Sequence, residues 1–169
     1  MKFAKDILVI DFEGTNDEPV QIGAILLDKE TLAEKDNFLS YIYADLKGER
    51  AYKSEISQEM LVGAPTPAEV GKMVFDKFGT DLFIATWVAN YDMRCFEKIM
   101  AAADIAFNQY DYHIFDIWPA AYLYLLKQGY TGEFRSEGMF QKFGATAREL
   151  HNALQDCRIA ADVLRKISL

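Results

Sequence analysis

The chain has 169 residues, 51% hydrophobic and 26% charged, which suits one globular domain with its own core. Its 26 acidic and 18 basic residues give a formal net charge of −8, the wrong sign for tight, sequence-blind binding to a polyphosphate backbone. No apolar run approaches the roughly 18 residues of a membrane helix, and the N-terminal stretch lacks a signal-peptide cleavage site. Cys95 and Cys157 have neither zinc-like nor framework spacing, so the expectation is a cytoplasmic protein with reduced thiols and no membrane partner.

In chain order, "DILVIDFE", "VQIGAILLD" and "NFLSYIYA" read as strands over 6–13, 20–28 and 37–44. The first two are apolar nearly throughout, as central strands are, and the third alternates in part, as an edge strand does. The connections "NDEP" and "DKETLAEKD" are polar and too short for helices, so the three strands form an antiparallel meander. "SQEMLVGA" reads as a short helix with Ser57 at its cap. In "TPAEVGKMVFDKFG", Thr66 caps a clearer helix, Pro67 enters the first turn, Glu69 completes a capping box and Gly79 ends it. "DLFIATWV" is a strand, "DMRCFEKIMAAA" a helix capped by Asn90, and "YHIFDI" a strand. "PAAYLYLLKQG", "SEGMFQKFG" and the amphipathic "ALQDCRIAADVLRKI" are helices. The class is therefore α/β: a mixed sheet with the first strand in its middle, three strands as a meander and two more beyond, flanked by helices.

Asp11 and Glu13 close the first strand two residues apart, so both point to the same face. Two like charges about 4 Å apart repel by about 4 kcal/mol at an effective dielectric near 20. A divalent cation reverses that sign, and carboxylate oxygens are the hard ligands that Mg²⁺ and Mn²⁺ prefer. A solvated pair at a strand end is the plainer alternative. Asp92 opens a helix directly after a strand, where α/β folds place functional side chains, and where an acid also serves as an ordinary helix-dipole partner. In "HNALQDCR", Asn152 and Gln155 form an Asn-x-x-Gln box that starts the last helix. His151 then lies in the loop ahead of it and can fold back toward Asp156. A loop histidine beside acids is suited to accept a proton; it is also an ordinary polar neighbour of a cap. His113, in "YHIFDI", reads as structural, and Asp116 as a helix cap or an outer carboxylate.

Taken together, "VIDFEGT", "QIGAILLD", "ISQEMLVGAPTPAEV", "NYDMRCF" and "HNALQDCRIAADVL" resemble, in order and over most of the chain, the DEDDh (DnaQ-like) 3′–5′ exonucleases. The resemblance implies a ribonuclease H-like fold over a single exonuclease domain, residues 1–169, that hydrolyses phosphodiesters from a 3′ end. Carried over by position, Asp11, Glu13, Asp92 and Asp156 would hold two divalent metal ions, Mg²⁺ or Mn²⁺, and His151 would be the general base. Gly14 and Thr15 would let the backbone approach the 3′-terminal nucleotide. The implied partner is nucleic acid with a short single-stranded 3′ end, since no basic cluster follows the motifs.

The second motif departs from the family's His-Asn-x-x-Phe-Asp pattern: "WVANYD" stands there. Trp87 and Tyr91 are then either stacking surfaces for a base or core residues. Two rivals remain on sequence grounds. One is a non-catalytic nucleic-acid-binding module of the same fold, against which all five expected catalytic positions are filled. The other is a haloacid-dehalogenase-type phosphatase, which "VIDFEGT" also resembles. Against it, Glu13 stands where that family has Asp, no later Lys and paired-Asp motif follows, and the meander is foreign to that fold.

Overall fold

The computed structural model describes residues 2–15, 18–48, 51, 54–146 and 151–168. The "NDEP" connection therefore has Asn16 and Asp17 outside the described residues. The elements are β1 (Ile7–Gly14), β2 (Pro19–Leu27), β3 (Glu34–Tyr41), α1 (Gln58–Leu61), α2 (Pro67–Phe78), β4 (Phe83–Thr86) and α3 (Ala89–Ala102). After a short 3₁₀ turn come β5 (Ile114–Asp116), α4 (Ile117–Lys127), α5 (Ser136–Lys142) and α6 (Ala153–Ile167). The sheet order is β3-β2-β1-β4-β5. β1 pairs antiparallel with β2, and β2 with β3, while β4 runs parallel to both β1 and β5. This is the expected mixed α/β sheet, with β1 at its centre.

Strand alternation divides the core in two. Ile7 and Val9 of β1 pack with Ile25, Leu27 and the apolar face of α6. Leu8, Ile10 and Phe12 point the other way, onto Val70 and Val74 of α2 and Phe96 and Ile99 of α3. Each such side chain contributes about 1.5–3 kcal/mol on full burial. Asp11 and Glu13 continue the odd-numbered row, so both carboxylates lie on the α6 side of the sheet.

Element boundaries differ from the sequence reading where charge or a turn intervenes. β3 starts at Glu34, three residues early, because an edge strand tolerates exposed charge when each one finds a partner. Glu34 pairs with Arg158, Lys35 with Asp6 and Asp36 with Lys77. α3 begins at Ala89, so Asn90 is inside the helix rather than its cap, and the N-cap position is held by Val88 without a side-chain bond. Likewise Ser57 stands at the N-cap of α1, but its hydroxyl donates to Glu59 instead. The Thr66 capping box of α2 forms in full. His113 lies just outside β5, exposed, with its ring on the Asp111 carboxylate at 2.8 Å. Both cysteines are free and buried.

α2 and α3 touch backbone to backbone at Gly71, where a Cβ would lie 2.3 Å from the Ile99 carbonyl oxygen. Gly71→Ala gains up to about 1 kcal/mol in helix propensity, but forcing a methyl against a fixed carbonyl costs about 1–3 kcal/mol. A lower urea midpoint with an unchanged m-value is the expected outcome.

Candidate active site

β4 accompanies β1 only from Ile7 to Val9, so β1 runs on past its neighbour with its backbone open on that side. α3 fills the opening. Asp92, in its first turn and 4% exposed, accepts the Phe12 N–H at 3.2 Å. One carboxylate thus completes the strand's hydrogen bonding and faces the helix dipole.

On the other side of the sheet, β2 sets the position of α6. Gln21 stands opposite Glu13 and Gly23 opposite Asp11. The buried Gln21 side-chain carbonyl accepts the Ala153 N–H at 3.1 Å. Asn152, as expected, accepts from the Gln155 N–H at 3.2 Å. Two of the donors that open any α-helix are thereby satisfied. At Gly23 a Cβ would sit 2.3 Å from both the Ala153 carbonyl carbon and the Leu154 nitrogen, so only glycine lets the helix lie this close. The Cys157 thiol closes the contact by donating to the Gly23 carbonyl at 3.2 Å.

Seated in this way, α6 brings Asp156 over the end of β1, with His151 just ahead of the helix. His151 Nδ1 lies 3.5 Å from Asp156 Oδ2 and 3.8 Å from Glu13 Oε1. One ligand atom from each of Glu13, His151 and Asp156 falls within 4.8 Å of the others. Asp11 and Asp92 line the same pocket, which has a volume of about 330 Å³, and Gly14, Thr15 and Tyr91 form part of its wall. Of the residues singled out in the sequence, Asp11, Glu13, Gly14, Thr15, Trp87, Tyr91, Asp92, His151 and Asp156 therefore meet at one pocket, and His113 and Asp116 do not line it.

Its electrostatics call for positive charge. Glu13, Asp92 and Asp156 are all buried, and no described lysine or arginine lines the pocket. Burial pushes the Asp92 carboxyl well above the usual carboxylate range; the N–H groups of Phe12 and Val88 oppose the shift, and nearby Asp116 adds to it. Asp116 stands at the N-cap position of α4, and its Oδ1 is buried without a hydrogen-bond partner. Burial raises its pKa as well. Oxygen donors crowded at this density, with one imidazole among them, fit hard divalent cations.

Trp87 lines the pocket but packs mainly into the core. It is 5% exposed, its indole N–H donates to Ser136 Oγ at 2.9 Å, and its ring packs 4.3 Å from that of Phe140. Gln21 and Gly23 are structural parts of the site to which the sequence reading assigned no role, whereas Asp116 stands, as expected, at a helix cap and beside Asp92. Gln21 and Gly23 did leave a signal: a polar residue and a glycine inside an otherwise apolar strand, the pattern of a close backbone approach.

A family model described as an exonuclease, of the RNase T type, matches residues 8–164. Among solved structures, E. coli Exonuclease I in complex with a dT13 oligonucleotide matches with a TM-score of 0.78 at 15% identity, over 97% of this chain. The nuclease domain of 3′hExo, a DEDDh family member bound to rAMP, matches with a TM-score of 0.74 at 20% identity, over 97% of this chain and 92% of that one. Cell-death related nuclease 4 gives 0.76 at 15% identity, over 97% and 64% of the two chains. At such identities the likeness is one of fold. The chain spans 41% of the length of Exonuclease I. No curated protein sequence matches it significantly.

Two outcomes are expected here. In the metal-free protein, Asp92 holds a proton more tightly folded than unfolded, so stability falls as pH rises from the ordinary carboxylate range toward neutrality. The melting temperature in chelator should drop over that window in the wild type and less in Asp92→Asn, and Mn²⁺ should restore it only in the wild type. Gln21→Leu leaves the Ala153 N–H buried without its acceptor, at a cost of about 1–3 kcal/mol. It should also weaken Mn²⁺ binding by about 10–100-fold, as loss of an orienting group around a metal centre does; calorimetry reads both.

Proposed function

The chain belongs to the DEDDh, DnaQ-like exonuclease family, and from that premise we propose that it removes nucleotides one at a time from the 3′ end of single-stranded DNA or RNA, releasing nucleoside 5′-monophosphates. The observation that carries this reading is the convergence of four carboxylates and one histidine, drawn from β1, α3, α6 and the loop before α6, on a single pocket.

Asp11, Glu13, Asp92 and Asp156 would hold two divalent ions, Mg²⁺ or Mn²⁺. When bound, such ions neutralise charge on the phosphate oxygens and make a nearby water more acidic. His151 takes the proton of the attacking water. Water oxygen bonds to phosphorus, the bond from phosphorus to the preceding 3′ oxygen breaks, and that oxygen is reprotonated from solvent. Gly14, Thr15 and Tyr91 wall the space for the terminal nucleotide. A volume of about 330 Å³ is near the lower end of small-molecule pockets, which favours one unpaired nucleotide over a base pair. The net charge of −8 favours short, locally held substrates over long duplexes. In this reading, residues 1–169 act as one exonuclease domain.

The test is a panel of labelled single-stranded DNA and RNA oligomers with Mg²⁺, with Mn²⁺ and with chelator. Shortening from the 3′ end, mononucleotide products and silence in chelator are expected. His151→Ala should lower kcat by about 10²–10⁴-fold with Mn²⁺ binding retained, whereas Asp11→Asn should lose both. Oligomer binding without degradation under either metal identifies a non-catalytic module. Release of inorganic phosphate identifies a phosphatase.

A further inference from the structure

Segment Phe12–Thr15, the end of β1 and the residue after it, forms one wall of the pocket, and within it Phe12 and Glu13 are paired with β2 but not with β4. Pairing with β4 has ended at Val9. Pairing with β2 shifts register between Glu13 and Gly14, and the residue then opposite Gly14 is Pro19, which has no N–H to donate. The turn that follows closes on itself: the Thr15 N–H donates to the Glu18 carbonyl at 3.0 Å, and the Glu18 N–H to Thr15 Oγ1 at 3.1 Å. Neither bond ties it to the body of the domain.

Two consecutive residues of α3 tie the segment from the side that β4 leaves open. Asp92 takes the Phe12 N–H, and the Tyr91 hydroxyl donates to the Thr15 carbonyl at 2.9 Å. Gly14 lies between these two anchors and leaves room for the second: a Cβ there would be 2.7 Å from the Tyr91 hydroxyl and 2.2 Å from the Glu18 carbonyl oxygen. An outer tie, Lys98 to Glu18 at 2.7 Å, is 43% and 44% exposed and weak for that reason. The hydroxyl has a further neighbour in the Cys95 thiol one turn along α3.

Resting on the exonuclease reading of this pocket, we infer that the Tyr91 hydroxyl is a positioning group for the terminal nucleotide: it acts through the Thr15 carbonyl to hold the Gly14–Thr15 wall at a fixed distance from the helix that carries Asp92. Ground state and transition state press on that wall alike, so its loosening weakens binding more than turnover.

Tyr91→Phe keeps the ring and removes the bond. KM for a short oligomer and the dissociation constant of a nucleoside 5′-monophosphate should each rise about 10-fold, equivalent to about 1.4 kcal/mol, while kcat falls by less than about 2-fold. Mn²⁺ affinity and melting temperature should hold. Gly14→Ala, which displaces the hydroxyl and the Glu18 carbonyl, should raise KM in the same way, and the double variant should not add to it. Unchanged KM and mononucleotide affinity in Tyr91→Phe overturn the inference, as does a loss of Mn²⁺ affinity that parallels a loss of kcat. Wild-type inactivity on every oligomer overturns the exonuclease reading, and this inference with it. An active wild type with unaffected Tyr91→Phe overturns this inference alone.

Discussion

The closeness of α6 to the sheet at Gly23 governs the rest of the site. With a Cβ 2.3 Å from the helix backbone, any larger residue would push the helix outward. Asp156 and His151 would move with it, away from Glu13. The same strand supplies the Gln21 acceptor for the first turn of α6 and the Gly23 carbonyl for the Cys157 thiol. Because Gln21 and Gly23 stand opposite Glu13 and Asp11, ladder pairing carries the placement of the helix directly into the spacing of the carboxylates.

The two faces of the sheet have separate tasks. Apolar packing on the α3 side places Asp92, which completes the hydrogen bonding of an overhanging strand. Apolar packing on the α6 side places Asp156. Between them, the odd-numbered row of β1 passes from Ile7 and Val9 to Asp11 and Glu13 without leaving its face. Burying carboxylates together opposes folding on its own. Hydrophobic burial on both faces imposes the arrangement, and the raised Asp92 carboxyl is the mark of that imposition.

Much of this was legible in the sequence. Period-two and apolar runs identified the meander, and capping chemistry at Thr66 and Asn152 marked two helix starts correctly. The acids and His151 stood out by position. The start of α3 was misread at Asn90, because tertiary contacts of Asp92 and Tyr91 with β1 hold the first turn where no capping side chain does. β3 was placed three residues late, because its charged start is stabilised by Arg158, Asp6 and Lys77, partners remote in sequence. For Trp87 the sequence leaves stacking surface and core residue open, and its indole bond to Ser136, 49 residues away, favours the core. What stayed hidden was long-range pairing, which local pattern does not encode.

The centre draws on residues 11, 13, 92, 151 and 156, which lie far apart in the chain, and α6 follows the rest of the domain in sequence. Strands and helices emerging from a ribosome can collapse early, since domains fold as units during synthesis. Until α6 docks, however, Asp156 and His151 are missing from the pocket, and a nascent chain lacks part of its acid cluster. The centre is therefore complete only when both faces of the sheet are packed, and a partly folded chain cannot assemble the acid cluster.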